Sequence, residues 1–186
     1  MRLFIAILPD ARMIRALRAC VRDLEAQGAQ GSIVPDANLH MTLAFIGDAE
    51  RPDQVRAVLQ KIPLPKIRLT LSKTGYFGDL LWAGIKADPS LHAYVSALRE
   101  ALAEADIPFD KKPFVPHITL IRRLRAPGPL CPRLDQAEME FDKKSAIDTL
   151  VRSGKNPLVV ISQLQTMGLD EDLVKCISEL LTAQPG

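Results

Sequence analysis

The chain has 186 residues, of which 47% are hydrophobic and 25% are charged, as in an ordinary globular protein. Its 24 Lys and Arg residues against 22 Asp and Glu give a formal charge of +2, which excludes a nucleic-acid binder that uses its whole surface. An anionic ligand must therefore be bound by a local patch of charge.

Targeting signals and cysteine usage both favour the cytoplasm. No stretch approaches the ~20 apolar residues that span a bilayer, so we expect no membrane contact. The apolar run near the N-terminus is too short for a secretory signal. The three cysteines, Cys20, Cys131 and Cys176, are far apart and form no CxxC pair, which predicts reduced thiols in a cytoplasmic protein. We also expect a monomer.

The first part of the chain alternates strands and helices. Arg2–Leu8 is apolar and predicts a strand, and Asp10 is a suitable N-cap for a helix whose apolar residues recur at helical spacing up to Gly28. The segments that follow are a predicted loop, strand and helix, in the order Gly28–Asn38, Leu39–Ile46 and Pro52–Ile62.

The second part begins with a hairpin and then repeats the first. Two strands, Ile67–Ser72 and Leu80–Ile85, are joined by a turn containing Gly75 and Gly78. Asp88 and Pro89 open a helix with a regular apolar face. The segments after that helix are a loop, a strand, a turn-rich break, a helix, a strand and a final helix, at Ile107–Pro116, His117–Leu124, Pro127–Pro132, Leu134–Val151, Leu158–Thr166 and Leu169–Leu181.

Two near-copies of one tetrapeptide are the most specific feature of the sequence. His40-Met41-Thr42-Leu43 and His117-Ile118-Thr119-Leu120 use two of the three histidines of the chain. The distance from Phe4 to His40 nearly equals that from Trp82 to His117, so each motif ends a repeated unit of strand, helix, loop and strand. The duplication predicts an α+β, bilobal fold with pseudo-twofold symmetry, in which both motif strands face one cleft.

The residue types in the two motifs suit chemistry on a phosphodiester. Side chains two apart in a strand share a face, so each motif presents an imidazole beside a hydroxyl. A neutral histidine can take a proton from water while a charged one gives a proton to the leaving ribose oxygen. The hydroxyls of Thr42 and Thr119 can bind the phosphate oxygens. No metal or other cofactor is required.

Blander interpretations of the same residues account for less of the pattern. A lone histidine in a strand is usually structural, but a duplicated His-x-Thr is not explained that way. A metal site needs three or four converging ligands, and no Cys or carboxylate cluster accompanies the histidines. The third histidine, His92, is assigned to a helix surface and given no role.

Strict alternation along the strands places the neighbouring residues. It puts Arg123, rather than Arg122, on the face of His117, unless a bulge intervenes; phosphate binding and simple solvation of this pair both remain open. Alternation puts Phe45 in the core, and Trp82 is assigned there because its strand is apolar. Base stacking remains open for the hairpin aromatics Tyr76, Phe77 and Trp82, and a local basic rim is expected from Lys111, Lys112, Arg122, Arg123 and Arg125.

The segments LHMTLAFIG and VPHITLIRR resemble the paired signatures of the 2H phosphoesterases, and within them the RNA 2′,3′-cyclic phosphodiesterases, also called 2′-5′ RNA ligases. The N-terminal RLFIAILP and the LLWAGI strand support the resemblance, which covers Arg2 to Arg125. It implies two antiparallel sheets around a central cleft, with helices outside. It also implies opening of a terminal 2′,3′-cyclic phosphate to a 2′-phosphate.

Residue by residue, the resemblance implies that His40 is the proton donor and His117 the proton acceptor. Thr42, Thr119 and Arg122 would bind the phosphate. The segment 126–186 departs from the family pattern, which leaves the base-binding edge open within a single domain of residues 1–186. Two rivals remain, a 2H enzyme acting on a small cyclic nucleotide and a non-catalytic protein that binds RNA ends. Reversible 2′-5′ ligation is a further possibility for the same site.

Overall fold

The computed structural model describes residues 2–48 and 52–141. Seven strands occur in this part: β1 (Arg2–Ile7), β2 (Gln30–Ile33), β3 (Met41–Asp48), β4 (Ile67–Phe77), β5 (Leu80–Ala87), β6 (His117–Arg125) and β7 (Glu138–Phe141). Its three α-helices are α1 (Ala11–Ala26), α2 (Pro52–Lys61) and α3 (Pro89–Glu104), and a short 3₁₀ turn covers Asp36–Asn38. The α+β class is therefore confirmed.

The described strands form two antiparallel sheets. β1 pairs with β3, and the other five are ordered β2-β6-β5-β4-β7. The predicted duplication is present, because each motif strand pairs antiparallel with the strand that begins its own unit, β3 with β1 and β6 with β5. Helix α1 packs on β6 and β7, whereas α3 contacts β3 and β5. One continuous apolar core lies between these layers.

Helix boundaries follow the capping rules that the sequence suggested. The Asp10 carboxylate accepts a hydrogen bond from the Met13 backbone N–H at 2.8 Å and caps α1. Asp88 caps α3 in the same way by accepting from the Ser90 N–H at 3.0 Å, directly before Pro89 at the first turn. Both helices bury a leucine-rich stripe, so both predictions are confirmed.

Three element predictions were wrong. The segment 28–38 is not only loop: β2 was missed because it is a four-residue edge strand whose exposed side chains carry no apolar period. Strand β4 runs through Gly75 to Phe77, so the turn is confined to Gly78 and Asp79. The helix predicted from Leu134 is contradicted by β7, in which Met139 and Phe141 are buried while Glu138 and Glu140 are exposed.

The predicted strand Leu158–Thr166, the helix Leu169–Leu181 and most of the segment 126–186 lie outside the described residues. Within that segment, residues 126–137 contain neither helix nor strand. None of the described helices is long and apolar enough to cross a membrane.

The outer strand β7 provides a test of the fold. Phe141 is 1% exposed, so Phe141→Ala should lower the free energy of unfolding by about 3–5 kcal/mol through lost burial and a residual cavity. The exposed neighbour Glu138 should tolerate Glu138→Ala within about 0.5 kcal/mol. Urea denaturation of both variants measures the difference; equal costs would contradict the alternating strand.

Candidate active site

The two motif strands come from different sheets and meet. Cα atoms of β3 and β6 approach within 8 Å of each other. The side chains of Thr42 and His117 line the same cavity, and the charge of His117 acts on His40. The structure therefore brings the two predicted motifs into one site.

Each histidine is held in the same way. His40 Nδ1 lies 2.7 Å from the carbonyl oxygen of Asn38, and His117 Nδ1 lies 2.7 Å from that of Val115. A carbonyl oxygen can only accept, so Nδ1 carries the proton in both rings. This leaves Nε2 of each neutral ring as a proton acceptor, or as a donor once the ring is charged.

Both motif strands carry a β-bulge at the leucine that follows the threonine. In β3 the pairing passes from Thr42 to Ala44, which leaves Leu43 as the extra residue. In β6 it passes from Thr119 to Ile121, which leaves Leu120 as the extra residue. A bulge of this kind breaks the alternation of side chains beyond it.

The bulges overturn two placements made by strict alternation. Phe45 was predicted to lie in the core, but it is 40% exposed and lines the cavity beside Thr42. Arg122 was predicted to face away from His117, yet its charge acts on His40, whereas Arg123 adopts a left-handed backbone and donates to the Ser32 hydroxyl at 2.8 Å. Phe45 and Arg122 thus occupy equivalent positions of the two strands.

Both imidazoles are in contact with aromatic side chains. The Phe4 ring stacks on His40 with centroids 4.8 Å apart. Phe77 meets His117 edge-on at 5.1 Å, and Trp82 lies 5.9 Å from the same ring. The core assignment of Trp82 is therefore wrong: it lies on the cleft face, opposite Thr119 in the register. The apolar character of its strand hid this, because only one face of that strand packs on the core.

The loop before each histidine is tied to the preceding helix by an arginine, a feature that the sequence reasoning missed. In the first unit, the Arg18 guanidinium of α1 binds the Val34 carbonyl and the Asp36 carboxylate. In the second, Arg99 of α3 donates to the Lys112 carbonyl at 2.9 Å. The repeat did not signal these residues, because Arg18 lies 22 positions before His40 and Arg99 lies 18 positions before His117.

The surroundings of His40 disfavour its charged form. Burial lowers the pKa of His40 below its ordinary value, and the nearby positive charges of Arg122 and His117 lower it further, against the hydrogen bond to Asn38. Free of ligand, His40 is therefore neutral at neutral pH. An anion in the site would offset the Arg122 charge and favour the charged imidazole.

A cavity of about 520 Å³ adjoins His117 on one side. Its walls are mainly aromatic and aliphatic, with Arg99, Asp110 and Lys112 as its charged residues. The three aromatic side chains are Phe45, Phe77 and Phe114. His40, Thr119 and Arg122 do not line it, so the cavity lies beside the histidine–threonine group. Its size and lining suit a flat organic group attached to an anion.

The remaining predicted residues divide between solvent and this cavity. His92 is exposed on α3, as expected, and its ring meets Phe114 edge-on at 5.7 Å. Of the expected basic rim, Lys112 lies at the cavity and Arg122 at His40. Within residues 2–48 and 52–141, no group of three or more His, Cys, Asp or Glu side chains could hold a metal ion.

Comparison with known proteins identifies the family. A model of the 2′-5′ RNA ligase superfamily matches residues 8–152, so the chain belongs to that superfamily. A Thermus thermophilus protein named RNA 2′,3′-cyclic phosphodiesterase is 34% identical in an alignment of 148 positions that covers 71% of this chain and 73% of the relative. The Escherichia coli protein of the same name is 34% identical in an alignment of 97 positions that covers 50% of this chain.

The matched segments cover 55% of the E. coli protein and 34% of a Geobacillus stearothermophilus relative of the same name, so the chain spans about half or less of these two relatives. Solved structures agree with the fold. E. coli LigT in complex with 3′-AMP matches with a TM-score of 0.61 and 27% identity, over 75% of this chain and 81% of LigT. The resemblance seen in the two motifs is confirmed at the level of the superfamily.

The Arg122 placement gives a direct test. Arg122→Gln removes a positive charge that disfavours the charged imidazole, so the pKa of His40 should rise. NMR titration of the histidine Cε1–H signals measures the shift.

The matched control is Arg123→Gln, because Arg123 has the same charge but donates to the Ser32 hydroxyl, and Arg122 rather than Arg123 acts on His40. It should leave the His40 titration in place. Equal shifts in the two variants would contradict the effect of the bulge.

Proposed function

We propose that this protein hydrolyses RNA ends that carry a 2′,3′-cyclic phosphate, without a metal ion, and leaves a 2′-phosphate. The observation that carries the proposal is the matched pair of histidines. Each is held through Nδ1 by a backbone carbonyl at 2.7 Å, and each stands two residues from a threonine on a strand facing the same cleft. Relatives named RNA 2′,3′-cyclic phosphodiesterase support this substrate class.

The proposed reaction divides the proton transfers between the two rings. His117 accepts a proton from water as the water oxygen attacks phosphorus. The bond from phosphorus to O3′ breaks, and charged His40 gives its Nε2 proton to O3′. Thr42, Thr119 and Arg122 bind the non-bridging oxygens as negative charge grows on them.

The protonation of His40 depends on the substrate in this scheme. The pKa of His40 is lowered by burial and by Arg122 in the free protein, which disfavours a proton donor. The phosphodiester brings a negative charge next to that arginine, so binding raises the proton affinity of His40 at the step that uses it. The donor is thus charged chiefly when substrate is present.

The cavity supports a nucleotide substrate. One nucleobase fits within about 520 Å³ of space, and the exposed Phe45 and Phe77 rings offer faces for stacking. Among relatives, E. coli LigT is known in complex with 3′-AMP. A base in this cavity would bring its ribose phosphate towards Thr42 and His117.

The same site allows the reverse reaction. A 5′-hydroxyl in place of water would form a 2′-5′ linkage through the same transition state, but water is in large excess, so hydrolysis is the expected direction. A small cyclic nucleotide is the rival substrate, and turnover of an RNA oligomer compared with that of a cyclic mononucleotide separates the two. Binding of cyclic-phosphate RNA without any product would instead indicate a non-catalytic RNA-end binder.

Removing either imidazole tests the two-histidine scheme. His40→Ala and His117→Ala should each lower kcat for a 2′,3′-cyclic nucleotide by at least about 100-fold, because each deletes one proton-transfer group. His92→Ala is the matched control, since it removes the third histidine from the exposed face of α3. Normal turnover in either motif variant would overturn the scheme.

The products define the reaction class. The protein is incubated with EDTA and an oligonucleotide ending in a 2′,3′-cyclic phosphate, and the position of the phosphate is determined by ³¹P NMR. We expect a 2′-phosphate at an unchanged rate. A 3′-phosphate, or loss of activity that Mg²⁺ or Mn²⁺ restores, would contradict the proposal.

The base-binding part has its own test. Phe45→Ala should weaken substrate binding by about 1–3 kcal/mol, the usual contribution of one base–aromatic stack, and so raise KM by roughly 5- to 150-fold. It should change kcat much less, because Phe45 does not take part in proton transfer. Tyr76→Ala removes a ring of similar exposure that does not line the cavity. If both variants raise KM equally, Phe45 is not the stacking residue.

A further inference from the structure

The rings of Trp82, Phe77 and His117 are in contact at one end of the cleft. Of these three residues, only His117 takes part in the proposed proton transfers. Trp82 lies 5.2 Å from Phe77 and 5.9 Å from His117, and Phe77 lies 5.1 Å from His117, all between ring centroids. Phe77 is 47% exposed, whereas Trp82 is half-buried beneath it. The indole thus packs against the His117 imidazole on its more buried side.

The indole occupies a slot that two glycines create. Gly75 is paired with Trp82 across β4 and β5, and a Cβ at Gly75 would lie 2.2 Å from the indole Cζ2. A Cβ at Gly84 would lie 2.9 Å from the Lys73 carbonyl oxygen, 3.0 Å from Ser72 Oγ and 3.2 Å from the indole Cζ3. Gly75 is outside the left-handed region, so its backbone accepts any residue. What excludes a side chain at Gly75 is therefore the indole and not the backbone.

Within the part of the chain that the structure describes, the Trp82 indole is held by packing against the glycines and not by a hydrogen bond. Its Nε1 is buried and has no acceptor among the described residues. A buried indole N–H normally finds a partner, and leaving it without one costs about 1–3 kcal/mol. A phenylalanine in this strand would avoid that cost. The chain has an indole here despite this cost. The indole atoms Cζ2, Cη2 and Cε2 lie over Gly75.

Position in the duplicated unit links Trp82 to its histidine. Trp82 stands opposite Thr119, and Gly84 stands opposite His117, so the indole and the imidazole share the cleft face. In the first unit the residue opposite Thr42 is Ala6, and the ring that stacks on His40 comes from Phe4, two residues earlier in β1. Both units thus place an aromatic residue of the neighbouring strand against the imidazole.

We propose that Trp82, seated on Gly75 and Gly84, is a positioning residue that fixes the His117 imidazole with its Nε2 towards the scissile phosphate. The hydrogen bond from Nδ1 to Val115 fixes one end of the ring, and the indole limits its rotation about that bond. This role rests on the proposed function, in which His117 takes a proton from the attacking water. A misplacement of about 1 Å in such a group costs up to roughly 100-fold in rate.

Gly75→Ala is the sharpest variant, because it displaces the indole without altering any ring. It should lower kcat for a cyclic mononucleotide by about 10- to 100-fold with little change in KM. In ¹⁵N- and ¹³C-histidine NMR spectra, the chemical shifts of the His117 ring should change, whereas those of His40 should stay in place. Trp82→Phe should show a smaller loss of kcat than Trp82→Leu, since it keeps a ring.

Loss of stability alone is controlled with Leu69→Ala, a buried residue of the same sheet that lies outside the ring cluster. If Leu69→Ala lowers kcat as much as Gly75→Ala at the same distance below its Tm, the effect is structural and the proposal fails. Unchanged His117 signals in Gly75→Ala, or equal changes at His40, would also overturn it. If the unaltered protein does not turn over cyclic phosphates, the proposed function fails, and the NMR comparison still decides whether Trp82 orients His117.

Discussion

Two reciprocal backbone hydrogen bonds hold the cleft together. The Val34 N–H, on the segment leading to His40, donates to the Leu120 carbonyl of β6 at 2.9 Å. The Asp110 N–H, on the segment leading to His117, donates to the Phe45 carbonyl of β3 at 2.8 Å. Each entry loop is thus fastened to the opposite motif strand. Because each histidine is also bonded through Nδ1 to its own loop, this exchange connects each imidazole to the opposite motif strand.

The duplicated frame carries an asymmetric site. The same bulge directs Phe45 from one motif strand and Arg122 from the other to the cleft face, so one half offers an aromatic surface and the other a positive charge. In the second half Phe77 and Trp82 both lie against His117, whereas in the first half Phe4 stacks on His40. The two ends of the cleft therefore differ, as the proposed substrate, with a base at one end and a phosphate at the other, would require.

The charge distribution gives this asymmetry an energetic meaning. Arg122 both favours an anion in the cleft and disfavours the charged form of His40. In the proposed reaction, one guanidinium couples phosphate binding to the protonation of the neighbouring histidine, because an anion compensates the charge that repels the imidazolium. Under that proposal, this coupling makes the proton donor depend on the substrate.

Much of this protein is determined by its sequence alone. The two His-x-Thr copies, the repeated order of strand, helix and strand, the caps Asp10 and Asp88 and the family resemblance all depend on short-range patterns, and the structure agrees with them. The pairing of strands determined the remaining features. The edge strand β2 carries no apolar period, and the alternation of β7 covers only four residues, too few to distinguish a strand from a helix. The bulges at Leu43 and Leu120 arise only where one strand pairs with another. Tertiary structure therefore determined the positions of Phe45, Arg122 and Trp82. The face that a side chain occupies depends on the pairing with the neighbouring strand as well as on the strand that carries it.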